Sequence, residues 1–169
     1  MTELLWRTSL LTSETFVINS NTGNETGFSG LANGGAVTST VSGTSGVFAP
    51  SLWGYGLVGD LWFNAGGSFT PVTNGALLGW FLCSLDGGTT FESLVTTPST
   101  TVPALERAPD FVIPFSAQAL ASGNRIKSAW RVELPPVHHK VVVQNRSGVT
   151  LPTSTTNWIK LVATTRRAE

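Results

Sequence analysis

Residues 74–95, NGALLGWFLCSLDGGTTFESLV, hold the chain's longest uncharged apolar segment together with its clearest turn. From Ala76 to Leu85 both alternating faces are apolar or small, the pattern of a strand buried on two sides. Asp86, Gly87 and Gly88 then supply residues that tolerate positive φ. The stretch therefore predicts a β-hairpin with a tight turn, Thr89 and Thr90 leading into a return strand over Phe91–Val95. Such a strand needs a covering layer on each face, so packed sheets are expected around it.

The same run, Ser84-Leu85-Asp86-Gly87-Gly88-Thr89-Thr90-Phe91, fits the S-x-D-x-G-x-T-[WF] pattern of the Asp box of sialidase-like propellers. A propeller repeats its blade motif every 40–50 residues or so, and here the motif occurs once. The expectation is a structural turn in which the Asp86 side chain caps backbone N–H groups, and not a glycosidase signal.

Outward from this centre, composition narrows the class. A chain of 169 residues can bury about two-thirds of its unfolded surface as one domain spanning 1–169, without disulfides or metals. Charged residues are 12% of it, while Trp and Phe together number 15. Few charges and many packing or turn-forming residues point to an all-β domain with much of its surface covered in an assembly. Cys83 is the single cysteine and lies inside the apolar strand, so no disulfide framework is expected. The start, Met1-Thr2-Glu3-Leu4-Leu5-Trp6-Arg7, has an acid where a signal peptide is basic, and no run approaches the ~18 apolar residues of a membrane helix. Synthesis in a cytoplasm, with the chain soluble or joined to a particle there, and no membrane partner are the corresponding expectations.

Net charge is zero but unevenly spread. Up to Glu106 there is one base, Arg7, against seven acids; beyond it nine bases face Asp110, Glu133 and Glu169. These halves can neutralise each other within one fold or between identical subunits.

Taken in order, strands are expected at Leu4–Leu11, Thr15–Asn19, Ala36–Ser42 and Leu57–Asn64, then in the central hairpin. Further strands are expected at Asp110–Phe115, Arg125–Leu134, His138–Gln144 and Asn157–Thr164. Residues 19–35 read as a loop or arm, with Phe28 and Leu31 as its sizeable apolar anchors. Residues 43–56 form a second loop carrying Phe48, Trp53 and Tyr55. Ser116–Ser122 reads as a short helix stopped by Gly123. Eight or nine short strands, long connections and one brief helix imply an antiparallel β-sandwich, with a jelly roll as the first choice.

The search for chemistry yields little. Glu92, Glu106 and Asp110 are the nearest group of carboxylates, with no motif tying them into the paired arrangement glycoside hydrolysis needs. Adjacent His138 and His139 point to opposite faces of a strand and cannot share an ion, so surface or barrel-rim histidines are expected and neither metal nor cofactor. Arg125, Lys127 and Arg131 form a basic stripe interrupted by Glu133; with a neutral chain this disfavours nucleic acid as partner. Trp80 and Trp130 sit in strongly patterned strands and are expected in the core.

Three stretches, TPVTNGALLGWFLCSLDGGTTFE (70–92), ERAPDFVIPF (106–115) and LPPVHHKVVVQNRSGVTLPTSTTNWIKLV (134–162), together resemble structural proteins encoded in tailed-bacteriophage virion gene clusters, including capsid decoration or cement proteins. The resemblance covers roughly residues 57–163. It implies a jelly roll that oligomerises as a homodimer or homotrimer, sits on the capsid exterior and clamps neighbouring major capsid protein subunits, with no enzyme activity. Partner contacts are then expected at Phe28, Leu31, Phe48, Trp53 and Tyr55, apolar side chains in otherwise polar loops. The alternatives are a carbohydrate-binding sandwich or tail-associated adhesin, and a glycosidase-type enzyme acting through Glu92 or Asp110.

Overall fold

The computed structural model describes residues 15–19, 28–38, 58–92, 107–135 and 137–163. Nine strands occur among them: β1 Thr15–Asn19, β2 Ala36–Thr38, β3 Val58–Asn64, β4 Ala76–Ser84, β5 Phe111–Pro114, β6 Arg125–Lys127, β7 Val132–Glu133, β8 His138–Arg146 and β9 Trp158–Ala163. They form two antiparallel sheets, an all-β sandwich. The first runs β1-β9-β3-β6, with β7 also on β3; the second runs β2-β8-β4-β5. The expected strand at Leu4–Leu11 lies outside the described residues.

The core follows from the alternation of apolar residues. Leu61 and Phe63 of β3, Ile159 and Leu161 of β9, Leu77 and Phe81 of β4, Phe111 and Ile113 of β5, and Val141 and Val143 of β8 meet between the sheets, all buried. Each large side chain removed from water contributes about 1.5–3 kcal/mol. At one end of the sandwich Phe28, Phe63, Phe69 and Phe115 pack edge to face, with centroids 5.5 to 6.3 Å apart.

β4 is apolar on both faces, as its sequence requires. Trp80 and Val142 form a second buried cluster on the far side of that sheet, with Ala36, Leu78 and Leu82 packed against them. The Trp80 indole N–H donates to the Arg107 carbonyl at 3.1 Å, which ties residue 107 to this face. Between the sheets, β4 admits the Phe111 ring so closely that a Cβ on Gly79 would collide with the ring carbons.

Three sequence expectations are corrected. Ser116–Ser122 does not form a helix; Leu120 instead makes a two-way bridge with Phe69 across the chain. A single helical turn carries its nucleation cost with few bonds in return, and pairing Leu120 against the aromatic cluster wins. The Arg125–Leu134 strand is broken in two. Its register on β3 slips by two residues between the Trp62–Lys127 and Gly59–Val132 pairs. At the break the Ser128 hydroxyl accepts the Leu61 N–H and donates to the Trp130 carbonyl, while the Ala129 N–H donates to Val112 of β5. The bulge turns Trp130 outward, 48% exposed, so it is not a core residue. Finally, Phe91 and Glu92 are not part of a strand. Among the described residues the Glu92 N–H donates to the Cys83 carbonyl, the turn before it is a longer loop, and the rest of the expected return strand, residues 93–95, lies outside the described residues.

Candidate functional site

The outer face of the first sheet carries cationic and aromatic side chains together. Period-two alternation places Trp62 and Asn64 of β3 outward while Leu61 and Phe63 go to the core. Strand pairing then sets two rows across the sheet. Arg125, Asn64 and Trp158 lie side by side in one; Lys127, Trp62 and Lys160 lie side by side in the next. Arg125 and Lys127 are exposed, and Trp62, Trp158 and Lys160 are half-buried. The Lys160 ammonium sits 4.5 Å and the Arg125 guanidinium 5.3 Å from the Trp158 ring centroid, both in cation–π range. Lys127 pairs with Asp60 at 3.4 Å. Sequence reasoning found the stripe of Arg125 and Lys127 and the tryptophans separately; that β3 and β9 bring them onto one face required the strand order.

The carboxylates considered for catalysis have a different occupation. β5 pairs with β4 only from Ala76 to Gly79, leaving Phe81 and Cys83 beyond the end of that ladder. There the Asp110 carboxylate accepts the Phe81 N–H at 2.7 Å, Arg107 donates to the Phe81 carbonyl at 2.5 Å, and the Glu92 carboxylate accepts the Cys83 N–H at 3.1 Å. Arg107 bridges the two acids, 2.9 Å from Asp110 and 3.8 Å from Glu92. Three side chains thus stand in for a strand and close an edge that would otherwise pair with another chain. Glu106 lies outside the described residues. The Cys83 thiol is pushed up by partial burial, with the Glu92 charge adding to it.

The Asp box forms as its chemistry predicts. Asp86 accepts the Thr90 N–H at 2.7 Å, the Thr89 N–H at 3.1 Å and the Ser84 hydroxyl at 2.7 Å, and the Gly88 N–H reaches Ser84 Oγ. Gly88 adopts φ 93°, a conformation a side chain would resist. These donors, the Thr90 amide foremost, hold the Asp86 carboxyl well below the usual carboxylate range. Phe91 lies under the Lys140 ammonium at 4.3 Å, and Leu85 at the loop tip is 95% exposed.

His138 and His139 do point to opposite faces, but His139 is not a surface residue. It is fully buried, its ring edge-on to Phe81. Its Nδ1 lies 2.8 Å from the Val137 carbonyl, which can only accept, so Nδ1 carries the proton. Burial pushes the ring's pKa down. Among the described residues no three of His, Cys, Asp and Glu are grouped to hold a metal ion.

Phe28 and Leu31 are corrected as partner contacts. Both are buried in the protein's own core, so they pin residues 28–35 to this sandwich and not to a neighbour. Two buried amides complete the attachment. Asn145 Nδ2 donates to the Leu31 and Val149 carbonyls and its Oδ1 accepts the Ser147 N–H; Asn157 Nδ2 donates to Pro152 and its Oδ1 accepts the Gly66 N–H. The signal for this was a large apolar residue in a loop, which serves equally to anchor the loop inward. Phe48, Trp53 and Tyr55 lie outside the described residues.

No family model matches this chain, and it has no match among curated proteins or solved structures.

Proposed function

We propose that this chain is a structural virion protein that binds and reinforces the outer surface of a bacteriophage capsid, contacting neighbouring major capsid protein subunits as a homodimer or homotrimer. The observation that carries the reading is the commitment of Glu92, Arg107 and Asp110 to the β4 edge. The groups nearest to an acid–base pair are bonded to main chain and to each other, which suits a scaffold that grips and does not turn over a substrate.

The strand order supports the finer fold reading of a jelly roll. β1 and β2, β9 and β8, β3 and β4, and β6 and β5 occupy the same successive places in the two sheets. That order arises when one long antiparallel ribbon is wrapped into two layers. In such a protein the action is linkage: binding an expanded shell and not its dissociated subunits stabilises the shell, and repetition at symmetry-related sites multiplies a modest contact. Phe48, Trp53 and Tyr55 stay as proposed loop contacts.

Mixing the purified protein with undecorated expanded capsids and imaging them tests this directly. Extra density at a regular lattice position is expected; bare shells at saturating protein would sink it. A carbohydrate-binding role is the second reading, favoured by Trp62 and Trp158 standing on an outer sheet face. Titration with bacterial polysaccharides distinguishes it.

A further inference from the structure

We infer that Asn74–Gly75 is a site of spontaneous covalent modification, at which the chain attacks its own side-chain amide and passes through a succinimide to aspartate and isoaspartate. The sequence holds the same dipeptide at Asn33–Gly34, and there the fold keeps it inert. The chemistry needs only the chain and water, so it holds whatever partner the protein binds.

Packing explains why a reactive pair stands at this turn. The turn Val72–Gly75 closes with the Gly75 N–H donating to the Val72 carbonyl at 3.0 Å. Asn74 takes φ 62°, the left-handed conformation that Asn tolerates and most side chains resist. A Cβ on residue 75 would meet the Ser147 backbone and the Val72 carbonyl, so only glycine fits there. The residue that the packing demands is also the one whose amide nitrogen no side chain shields. Asn74 is exposed, as are Val72 and Thr73 before it, so water reaches the carboxamide. In the reaction the Gly75 nitrogen gives up its proton and bonds to Asn74 Cγ, and the side-chain nitrogen leaves with that proton as ammonia. Water then opens the cyclic imide at either carbonyl, giving aspartate or isoaspartate.

Asn33–Gly34 has the same chemistry in the opposite setting. Asn33 Oδ1 accepts the Gly148 N–H at 2.9 Å, and the Gly34 N–H donates to the Asn145 carbonyl at 2.6 Å. Electrophile and nucleophile are both bonded to the end of β8 and the turn after it, inside the segment that Asn145 latches. At Asn74 the bond that must break on the nucleophile is the turn's own, at the surface, the kind of contact that opens locally. Conversion matters because the turn leads into β4. Isoaspartate adds a methylene to the main chain just ahead of Ala76, which pairs with Pro114 on one side and Arg146 on the other. The Gly75 carbonyl, which accepts the Phe115 N–H at 2.7 Å, is displaced with it.

The test incubates the whole chain in mildly alkaline buffer, folded and in urea, followed by peptide mapping for amide-to-acid conversion and for isoaspartate. In urea the two dipeptides are expected to convert at similar rates. In the folded chain Asn74 is expected to convert several-fold faster than Asn33, and the aged protein to melt at a lower temperature than fresh protein. Conversion at Asn33 as fast as at Asn74 in the folded chain overturns the inference, as does an Asn74 that stays intact while the urea sample converts. Asn74→Gly keeps the positive φ without an amide and is expected to hold its melting temperature on ageing; a loss equal to the parent's overturns the consequence drawn for β4. Asn74→Asp carries the new charge without the added methylene and is expected to melt near the parent; a fall as large as that of the aged protein overturns that consequence likewise.

Discussion

The Asp110 carboxylate stands 2.7 Å from the Phe81 amide nitrogen, where the carbonyl of a neighbouring strand would be. With Arg107 on the Phe81 carbonyl and Glu92 on the Cys83 amide, the open part of β4 is closed by charged side chains that cannot themselves propagate a sheet. Asp110→Ala removes the acceptor and leaves Arg107 without its nearest anion. A loss of about 1–3 kcal/mol in urea unfolding is expected, with concentration-dependent association by light scattering; Asp110→Asn, which keeps an oxygen there, should associate less. A variant as monodisperse and stable as the parent would refute the edge-closing role.

Gly79→Ala should be costly for a reason its neighbours make plain. The new methyl would meet the Phe111 ring, and overpacking of this kind costs about 1–3 kcal/mol or more. Phe111→Leu in the same chain should recover part of the loss, so a double-mutant cycle is expected to show coupling. Additive effects would mean that the ring does not set the constraint.

Asn145→Ala deletes three main-chain partners at once, the Leu31 and Val149 carbonyls and the Ser147 amide. At roughly 1 kcal/mol each, about 3 kcal/mol is expected in chemical denaturation. Hydrogen exchange should accelerate at residues 28–35 well before β3 or β9. Uniform acceleration along the chain would argue against a local latch.

Stability should fall on acidification in two windows. The His139 ring, depressed by burial below its ordinary value of 6.5, takes up a proton more readily in the unfolded chain. Its contribution is therefore complete above pH 6.5 and is lost as pH drops below that toward the folded ring's own lower pKa. Asp86, also depressed, adds a second loss beginning below its ordinary 3.8. Melting temperature measured against pH should flatten in the upper window in His139→Leu and in the lower one in Asp86→Ala. An unaltered profile in either variant would remove that group as a cause.

Much of the fold was legible because period-two alternation survives burial. β3, β4, β8 and β9 lie within a residue or two of their expected bounds, and the two-sided burial of β4 followed from its having no polar face. What misled were features whose outcome depends on distant partners. Ser116–Ser122 has local helix character, yet Leu120 is claimed by Phe69. Trp130 continues a perfect alternation, yet Ser128 supplies the bond that bends the strand away. Phe28 and Leu31 stand in a polar segment, which locally resembles an arm; only Asn145 and Asn157, more than a hundred residues downstream, reveal that it is welded in. The site was legible as pieces, since cations and indoles were visible in sequence while their meeting on one face depends on β9 lying beside β3.

β9 lies between β1 and β3, and β8 lies between β2 and β4. During synthesis, therefore, the seven strands described before β8 leave the ribosome ahead of the two that join them, and until then the partners of β8 and β9 lack that pairing. Folding waits for a late insertion with high contact order, so it is slow and leans on whatever shields nascent chains from one another. Translation arrested ahead of Trp158 should leave a protease-sensitive polypeptide, whereas release of the full chain should convert it to a resistant one in a single cooperative step.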